Sequence, residues 1–536
     1  MRTTSKLRIV VQLLASLLAR CIQPQQIVRI VILLLWASLP SLTLAESVAP
    51  TTNFTAKTKP AETQPAESRS AESPVEVPIN TPMDTSPLFT LEEPLESAPA
   101  PLITPETVGS PDRHFPQEEP SFLERRSESA TPLQAVFDEG FGLKSFDDQF
   151  QLRIRTLTQI DGKVFAPGDQ EPARSGIYIP RFRIYFEGQL TDLFEYELSL
   201  QRSVEGTFDV LDANVNFVQS EAFQVRVGRA LVPYSYAWYD HLEQYYITPE
   251  RGLFALNYGL ARQAGVFAHG KVLEKQLGYA VGATFGQLSG LADTNTTRDG
   301  VGYLNAKPFL HSDRFSWLRF LNIGGSLAIG QQAYESAPLP LRTSIQTSEN
   351  DEAAQAASAI LLEYKEGVVS KGERVQGALH AALYSGPVSI EAECYAARFG
   401  MAAHAGGPVV GVPIFGYDVT LASFLTGERI EKRETVAPLR PITRSGTGHG
   451  AVEVFGRYSN LKLGQQVFSA DLANPNDWTN NAGITDIGFN WYLNRYVRMT
   501  FDWQHSMFAS PVLLNKEKDL RSKTDDLFWI RCQLYF

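Results

Sequence analysis

The chain has 536 residues, of which 59 are acidic and 48 are basic, so its formal net charge is −11. Beyond residue 45, no uncharged apolar run reaches the roughly 18 residues of a membrane-spanning helix, which argues against a helical membrane protein. No basic patch stands out, so nucleic acid is not expected as a partner. Tyr and Phe contribute 20 and 31 residues beside 39 Gly, a composition that favours many strands joined by turns.

Residues 1–45 are predicted to be a signal peptide. A long basic segment is followed by an apolar run from Ile30 to Leu39, and small residues precede a cleavage position after Ala45. A second apolar stretch, from Ile9 to Ala19, leaves an uncleaved membrane anchor as the alternative. Both stretches are shorter than a bilayer requires.

Residues 46–130 are predicted to form an extended, disordered linker. Proline recurs every few positions among Ser, Thr and Glu, and the segment has 15 acidic and 6 basic side chains. Such a segment cannot bury enough apolar surface to offset the entropy lost on ordering. The linker could instead bind cell-wall polymer or a periplasmic partner.

From about residue 148 to the end, apolar and polar side chains alternate with a period of two. In the segment from Arg181 to Glu187, apolar side chains share one face and charged side chains share the other, as in a half-buried strand. With the weaker cases, about sixteen such segments can be counted, a number typical of membrane barrels. The others are Phe194–Leu200, Phe223–Val227, Leu277–Phe285, Val388–Cys394, Val452–Tyr458, Ile487–Trp491, Val497–Trp503 and Phe528–Phe536, with weaker ones near Leu152, Val215, Val266, Ile323, Leu362, Leu379 and Tyr417.

Three features favour a membrane barrel over a soluble β-sandwich, which has the same alternation. The polar face is often charged, which suits a water-filled interior. The last strand alternates and ends on Phe536, and a terminal aromatic looks like the assembly signal of bacterial outer-membrane barrels. The third feature is a set of aromatics near strand ends, where interfacial girdles are expected: Tyr178, Trp491, Tyr492, Tyr496 and Trp503. Residues 131–536 are therefore predicted to be an all-β, transmembrane antiparallel barrel in the outer membrane.

A series of short segments carries a more specific signal: Arg181–Gly188, Phe194–Tyr196, Val227–Tyr234, Glu250–Arg251, Arg262–Val266, Tyr384–Glu393, Phe424–Glu428, Gly450–Ser459 and Gly488–Asn494. In order and spacing they resemble the phosphate-selective porin O and P family across residues 148–536. The resemblance implies a trimeric barrel of sixteen strands whose long third loop folds inward and narrows the channel. It also implies that arginines and lysines in the lumen guide anions.

The segment from Pro233 to Ala261 occupies the position of the family's constriction loop. Arg251 and Arg262 are the basic candidates there, because guanidinium groups between low-dielectric walls attract anions and can bind phosphate oxygens. This segment has fewer basic residues than a phosphate-capturing constriction would need, and an equally open alternative is that the two arginines merely pair with Asp240, Glu243 and Glu250. The remaining anion-binding candidates, at inward positions of the strands, are Arg153, Arg155, Arg181, Arg183, Arg226 and Arg229.

The sequence thus predicts a porin through which small hydrophilic solutes diffuse passively, with anions such as phosphate as the expected cargo. The expected partners are outer-membrane lipid, small anionic solutes and two further copies of the chain in a homotrimer. Scattered histidines and the lack of a Ser/His pairing predict no enzyme, metal or cofactor. The alternative function is a structural outer-membrane anchor whose acidic linker binds the cell wall or a periplasmic partner.

Overall fold

The computed structural model describes residues 132–203, 208–285, 298–346 and 352–536, so the predicted signal peptide and linker lie outside the described residues. The helices are Tyr236–Tyr239, Leu253–Tyr258, Glu352–Ala356 and Gln466–Ser469, with 3-10 turns at Glu243–Tyr245 and Ser316–Leu318. In this part of the chain no helix has the length and apolarity to cross a membrane. The strands are β1 (Leu133–Phe137), β2 (Phe141–Ser145), β3 (Gln151–Ala166), β4 (Gly176–Thr191), β5 (Phe194–Ser203), β6 (Phe208–Ser220), β7 (Phe223–Leu231), β8 (Arg262–Val272), β9 (Leu277–Thr284), β10 (Asp299–Ala306), β11 (Phe320–Ser336), β12 (Leu341–Arg342), β13 (Ile360–Leu362), β14 (Val369–Ser385), β15 (Val388–Ala402), β16 (Val410–Phe424), β17 (Ala451–Leu463), β18 (Asn481–Tyr492), β19 (Val497–Asn515) and β20 (Leu520–Tyr535).

Sixteen strands of the described residues form a closed antiparallel barrel, which confirms the predicted fold and strand number. They run from β3 to β11 and from β14 to β20, each pairing with its neighbours in the chain. The barrel closes where β20 pairs with β3, with Leu534 opposite Thr158 and Ile530 opposite Gly162. A closed barrel leaves no unpaired strand edge, as a membrane interior demands.

The two ends of the barrel differ in the length of their connections. At the end that holds Phe536, most connections are short, such as 192–193 between β4 and β5 and 386–387 between β14 and β15. At the other end the connections include 232–261 and 337–368, each far longer than a tight turn. Short turns face the periplasm and long loops face outward in outer-membrane barrels, so we name the two ends periplasmic and extracellular.

A hairpin of β1 and β2 precedes the barrel and was not predicted. Its second strand pairs with β3, from Phe141 opposite Ile154 to Lys144 opposite Gln151, on the edge that β20 leaves free. The ring of Phe141 packs edge to face against that of Phe536, with centroids 5.9 Å apart. The hairpin therefore extends the wall of the barrel beyond the C-terminus.

The two faces of the wall strands follow the predicted alternation. On β20, Trp529 and Arg531 are buried inside the barrel, whereas Phe528 and Ile530 are exposed on its outer surface. The prediction was wrong for Tyr492, which is only 7% exposed and donates a hydrogen bond to Glu453 inside the barrel at 3.0 Å. Adjacent residues of a strand point to opposite faces, so Trp491 and Tyr492 cannot both belong to an outer aromatic girdle.

Two errors in the strand assignments cancelled in the predicted total. The segment near Leu362 belongs to β13, which pairs with β12 within the extracellular connection and is not part of the wall. The wall strand β10 was missed because its outward positions include Gly300 and Gly302, while Val301 and Tyr303 point inward and are buried. A strand with apolar side chains on its inward face and glycines on its outward face lacks the alternation of outward apolar and inward polar residues by which the other wall strands were recognised.

We expect Ile530→Arg to destabilise the barrel by about 2–4 kcal/mol, since Ile530 lies in the middle of an outward apolar row and would place a charge in the lipid. Leu439→Arg is the matched control, because Leu439 is 68% exposed in a connection outside the wall. Equilibrium unfolding by guanidinium chloride in lipid vesicles, followed by Trp fluorescence, measures both variants. Equal unfolding midpoints for the two variants would contradict the lipid-facing position of Ile530.

Candidate functional site

The connection between β7 and β8, residues 232–261, lies inside the barrel, and we call it the inner loop. Most of its side chains are buried. On one side, the backbone N–H of Tyr236 donates to Glu393 of β15 at 2.8 Å. On another, Asn490 of β18 donates from Nδ2 to the carbonyl oxygen of Ile247 at 2.8 Å. The inner loop therefore crosses the lumen and narrows it.

Trp238 holds the two arms of the inner loop together. Its indole Nε1 donates to the carbonyl oxygen of Ala255 at 2.7 Å, and its backbone N–H donates to Ser235 Oγ at 3.3 Å. A Cβ atom at position 259 would lie 1.8 Å from the same indole nitrogen, so Gly259 is required for this close approach. These contacts fix the loop as a folded unit rather than a mobile lid.

Glu243 in the inner loop is surrounded by three arginines. Its carboxylate lies 2.8 Å from Arg183, 3.4 Å from Arg262 and 3.7 Å from Arg251, and Arg262 also pairs with Asp212 of β6 at 2.9 Å. Burial opposes ionisation of Glu243, but the three guanidinium groups outweigh it and hold its pKa well below the usual range. Glu243 thus orients three cations while neutralising only one of them.

Glu250 forms a second ionic cluster with the wall. Arg181 of β4 lies 2.7 Å from its carboxylate and Arg531 of β20 lies 3.0 Å away, while Arg531 also pairs with Asp161 of β3 at 2.7 Å. Burial opposes ionisation of Glu250, but Arg181 and Arg531 outweigh it and lower its pKa to about 2. The pairs join the inner loop to the strands at the closing seam of the barrel.

Arg251 is held mainly by aromatic rings. Its guanidinium carbon lies 3.3 Å from the ring centroid of Trp238 and 4.5 Å from that of Tyr246, and its Nε donates to the carbonyl oxygen of Ala237 at 2.8 Å. Cation–π contacts keep the charge in place without neutralising it.

A cavity of about 200 Å³ lies between the inner loop and the wall formed by β4 to β7, and we call it the arginine cavity. Its lining includes Ile345 and Gln346 of the extracellular connection, so it lies on the extracellular side of the narrowing. Five arginines and one glutamate are the charged groups of the lining. They are Arg181, Arg183, Arg229, Arg251, Arg262 and Glu243.

A larger cavity of about 610 Å³ lies on the periplasmic side of the same narrowing, and we call it the acidic vestibule. Arg262 and Glu243 line both cavities, so this pair stands at the boundary between them. Acidic groups outnumber basic ones in the vestibule. Its charged lining consists of Arg153, Arg155, Arg226, Arg262, Glu187, Glu195, Glu197, Asp212, Asp240 and Glu243.

All eight arginines predicted as site residues line one or both of these cavities. The ion pairs that the sequence left open are formed in part, because Arg251 and Arg262 both face Glu243. Asp240 and Glu250 contact other groups: Tyr303 donates a hydrogen bond to Asp240, and Glu250 pairs with Arg181 of the wall. Pairing and an excess of positive charge therefore coexist at the narrowing.

Sequence reasoning missed Arg531, whose Nη1 also donates to the carbonyl oxygen of Pro249 in the inner loop. Its inward position was visible in the alternation of the last strand.

Sequence reasoning also missed the inward fold of residues 425–450, the long periplasmic connection between β16 and β17. Arg433 in this segment is buried and donates to Glu453 at 2.7 Å and to Ser389 Oγ at 2.8 Å. Ile430 packs against an aromatic cluster that includes Tyr236 of the inner loop. The available signal was the length of the connection, which is unusual for a periplasmic turn.

A closed barrel with a folded loop and many charged groups in its lumen defines a channel-forming outer-membrane protein. The chain belongs to the phosphate-selective porin O and P family, because the model of that family matches residues 150–536. The resemblance found in the sequence is thereby confirmed, as is the location in the outer membrane. The family and the fold indicate a channel rather than an enzyme.

Several solved porins are similar in structure at low sequence identity. OmpT of Vibrio cholerae is 10% identical with a TM-score of 0.43, over 73% of this chain and 100% of that one. The anion-selective porin from Comamonas acidovorans is 14% identical with a TM-score of 0.43, over 72% and 100%. The channel DcaP of Acinetobacter baumannii is 9% identical with a TM-score of 0.44, over 74% and 99%. No curated protein sequence matches the chain.

We expect Glu250→Gln to lower the free energy of unfolding by about 3 kcal/mol at pH 7, because a buried carboxylate with a pKa near 2 is lost. A lowered carboxyl pKa stabilises the fold above the unfolded pKa of 4.5, and this contribution disappears as the pH falls towards 2. The gap between wild type and variant should therefore shrink over that range.

Unfolding by guanidinium chloride at a series of pH values measures this gap. Glu434→Gln is the control, since Glu434 is half exposed and pairs with Lys432 at the surface. A gap that stays constant from pH 7 to pH 2 would show that the charge of Glu250 does not anchor the inner loop.

Proposed function

We propose that this porin conducts small hydrophilic anions such as phosphate by passive diffusion, with the arginine cavity as the selecting site. The observation that carries the proposal is the set of five arginines and one glutamate around a cavity of about 200 Å³. Confined between low-dielectric walls, this excess of positive charge raises the local concentration of anions. Guanidinium groups also offer paired N–H donors that match the oxygens of phosphate.

The barrel wall supplies the basic side chains that the inner loop lacks. By sequence the loop has too few basic residues for a phosphate constriction, but Arg181 and Arg183 of β4 and Arg229 of β7 line the same cavity as Arg251. The acidic balance of the whole chain is compatible with this proposal, because selectivity depends on the charges that line the narrowing.

The acidic vestibule provides a reason for release. A conducting site must hold an ion firmly enough to select it and weakly enough to let it leave. An anion that passes Arg262 and Glu243 enters a space with six carboxylates and four guanidinium groups in its lining. Repulsion there lowers its residence time, which suits transport rather than storage.

We also propose that the chain forms a homotrimer, as its family resemblance implies. Mass measurement of the detergent-solubilised protein by light scattering should give about three times the mass of one chain plus the bound detergent. A species with the mass of a single chain, stable over a tenfold range of concentration, would contradict the trimer.

Reversal potentials in planar bilayers under a potassium chloride gradient test the selectivity. The reversal potential of the wild type should have the sign of a current carried mainly by chloride. Arg251→Ala with Arg262→Ala should move the reversal potential about half of the way to zero, because the net charge of the cavity lining falls from +4 (five arginines, one glutamate) to +2. Glu243→Gln should move it in the opposite direction, since the single carboxylate of the cavity is neutralised.

Phosphate should also reduce the chloride current, with a half-blocking concentration at least about tenfold higher in the double variant. The control is Arg495→Ala, because Arg495 lies partly exposed at the periplasmic turn between β18 and β19 and pairs with Glu139. Folding of each variant is verified by its heat-modifiable migration in gels. Cation selectivity of the wild type, or equal reversal potentials in all variants, would refute the proposal.

A further inference from the structure

A third cavity, of about 270 Å³, lies on the other side of the inner loop from the arginine cavity. It is lined by the end of the helix Leu253–Tyr258, the extracellular connection after β11, and the strands β14 and β15. Its volume is close to the lower limit of small-molecule sites, about 300 Å³, so it has room for one small ring. We call it the ring cavity.

One wall of the ring cavity is apolar and aromatic. Tyr258 and Phe399 lie with ring centroids 5.4 Å apart, and the hydroxyl groups of Tyr258 and Tyr364 are 3.4 Å apart. Leu339 and Met401 are among the other apolar residues of the lining. Such a surface suits a ligand that presents C–H groups on a flat face.

Gln376 of β14 is the polar residue of the lining that indicates a bound ligand. It is fully buried, and neither its amide nitrogen nor its amide oxygen has a hydrogen-bond partner among the described residues. The residues opposite it on the two neighbouring strands are Ala328 and Ala397, which have no polar side chain to offer. A buried amide normally has its donors and acceptors paired, so a partner is expected from within the cavity.

The charges of the ring cavity balance. Its lining contains one acidic residue, Glu373, and one basic residue, Arg374, and Arg374 pairs with Asp299 of β10. The arginine cavity, by contrast, has a large excess of positive charge. Electrostatics therefore favours a neutral ligand here and an anion there.

We infer that the ring cavity binds a neutral monosaccharide in its ring form. The C–H face of a pyranose would pack on Tyr258 and Phe399. Two adjacent hydroxyl groups would satisfy Gln376, one donating to Oε1 and the other accepting from Nε2. This is a solute class different from the proposed anions, at a separate site, so it stands or falls independently of the anion selectivity.

Saturation-transfer NMR on the full-length protein, in a detergent without a sugar headgroup, tests the inference. D-glucose should give a saturable signal from its ring protons. Sorbitol, which has the same number of carbons but no ring, should give a signal at least about tenfold weaker. Inorganic phosphate should leave the glucose signal unchanged, because the arginine cavity is a different site.

Gln376→Leu, which keeps the size of the side chain but removes its hydrogen-bonding groups, should weaken glucose binding at least about tenfold. Phe399→Ala, at a half-buried position, should do the same and serves if the first variant folds poorly. Arg495→Ala should bind like the wild type. The inference is overturned if glucose and sorbitol give equal signals, if phosphate displaces glucose, or if both variants bind glucose as the wild type does.

Discussion

The ion pairs between the inner loop and the barrel wall are the interaction on which the rest of the channel depends. Glu243 and Glu250 are buried carboxylates, and each is held by arginines from strands far apart in the sequence. Without those guanidinium groups, burial would expel the carboxylates, and without the carboxylates the arginines would repel one another. The loop position and the charge of the cavities are therefore set together.

The same inner loop divides the lumen into regions with different chemistry. On the side of β4 to β7 it faces arginines and carboxylates. On the side of β14 and β15 it faces aromatic rings and the amide of Gln376, which has no hydrogen-bond partner among the described residues. Trp238 and Gly259 make this possible, because they keep the two arms of the loop close enough to leave space on both sides. A single connection thus determines the shape of three cavities.

The barrel and its inward charged residues could be predicted from the sequence because alternation is a local signal. It worked for the inward Arg183 on β4 and for the outward Ile530 on β20, where each face has a distinct chemistry. It failed for β10, where glycines occupy outward positions, and it mistook the buried β13 for part of the wall.

The pairing of Glu250 with Arg181 and Arg531, and the inward fold around Arg433, could not be predicted. These contacts join distant segments, and neither residue pattern nor spacing encodes which carboxylate meets which arginine.

The seam between β3 and β20 has a consequence for the kinetics of assembly. Arg155 donates to Tyr535 across 380 positions of sequence, and the backbone of Phe536 exchanges hydrogen bonds with Thr156. Contacts this distant along the chain carry a large loop-closure cost before they contribute stability, so folding of such a topology is slow. Until the seam forms, both edge strands can pair with other chains. The cell must therefore prevent aggregation during this stage of folding.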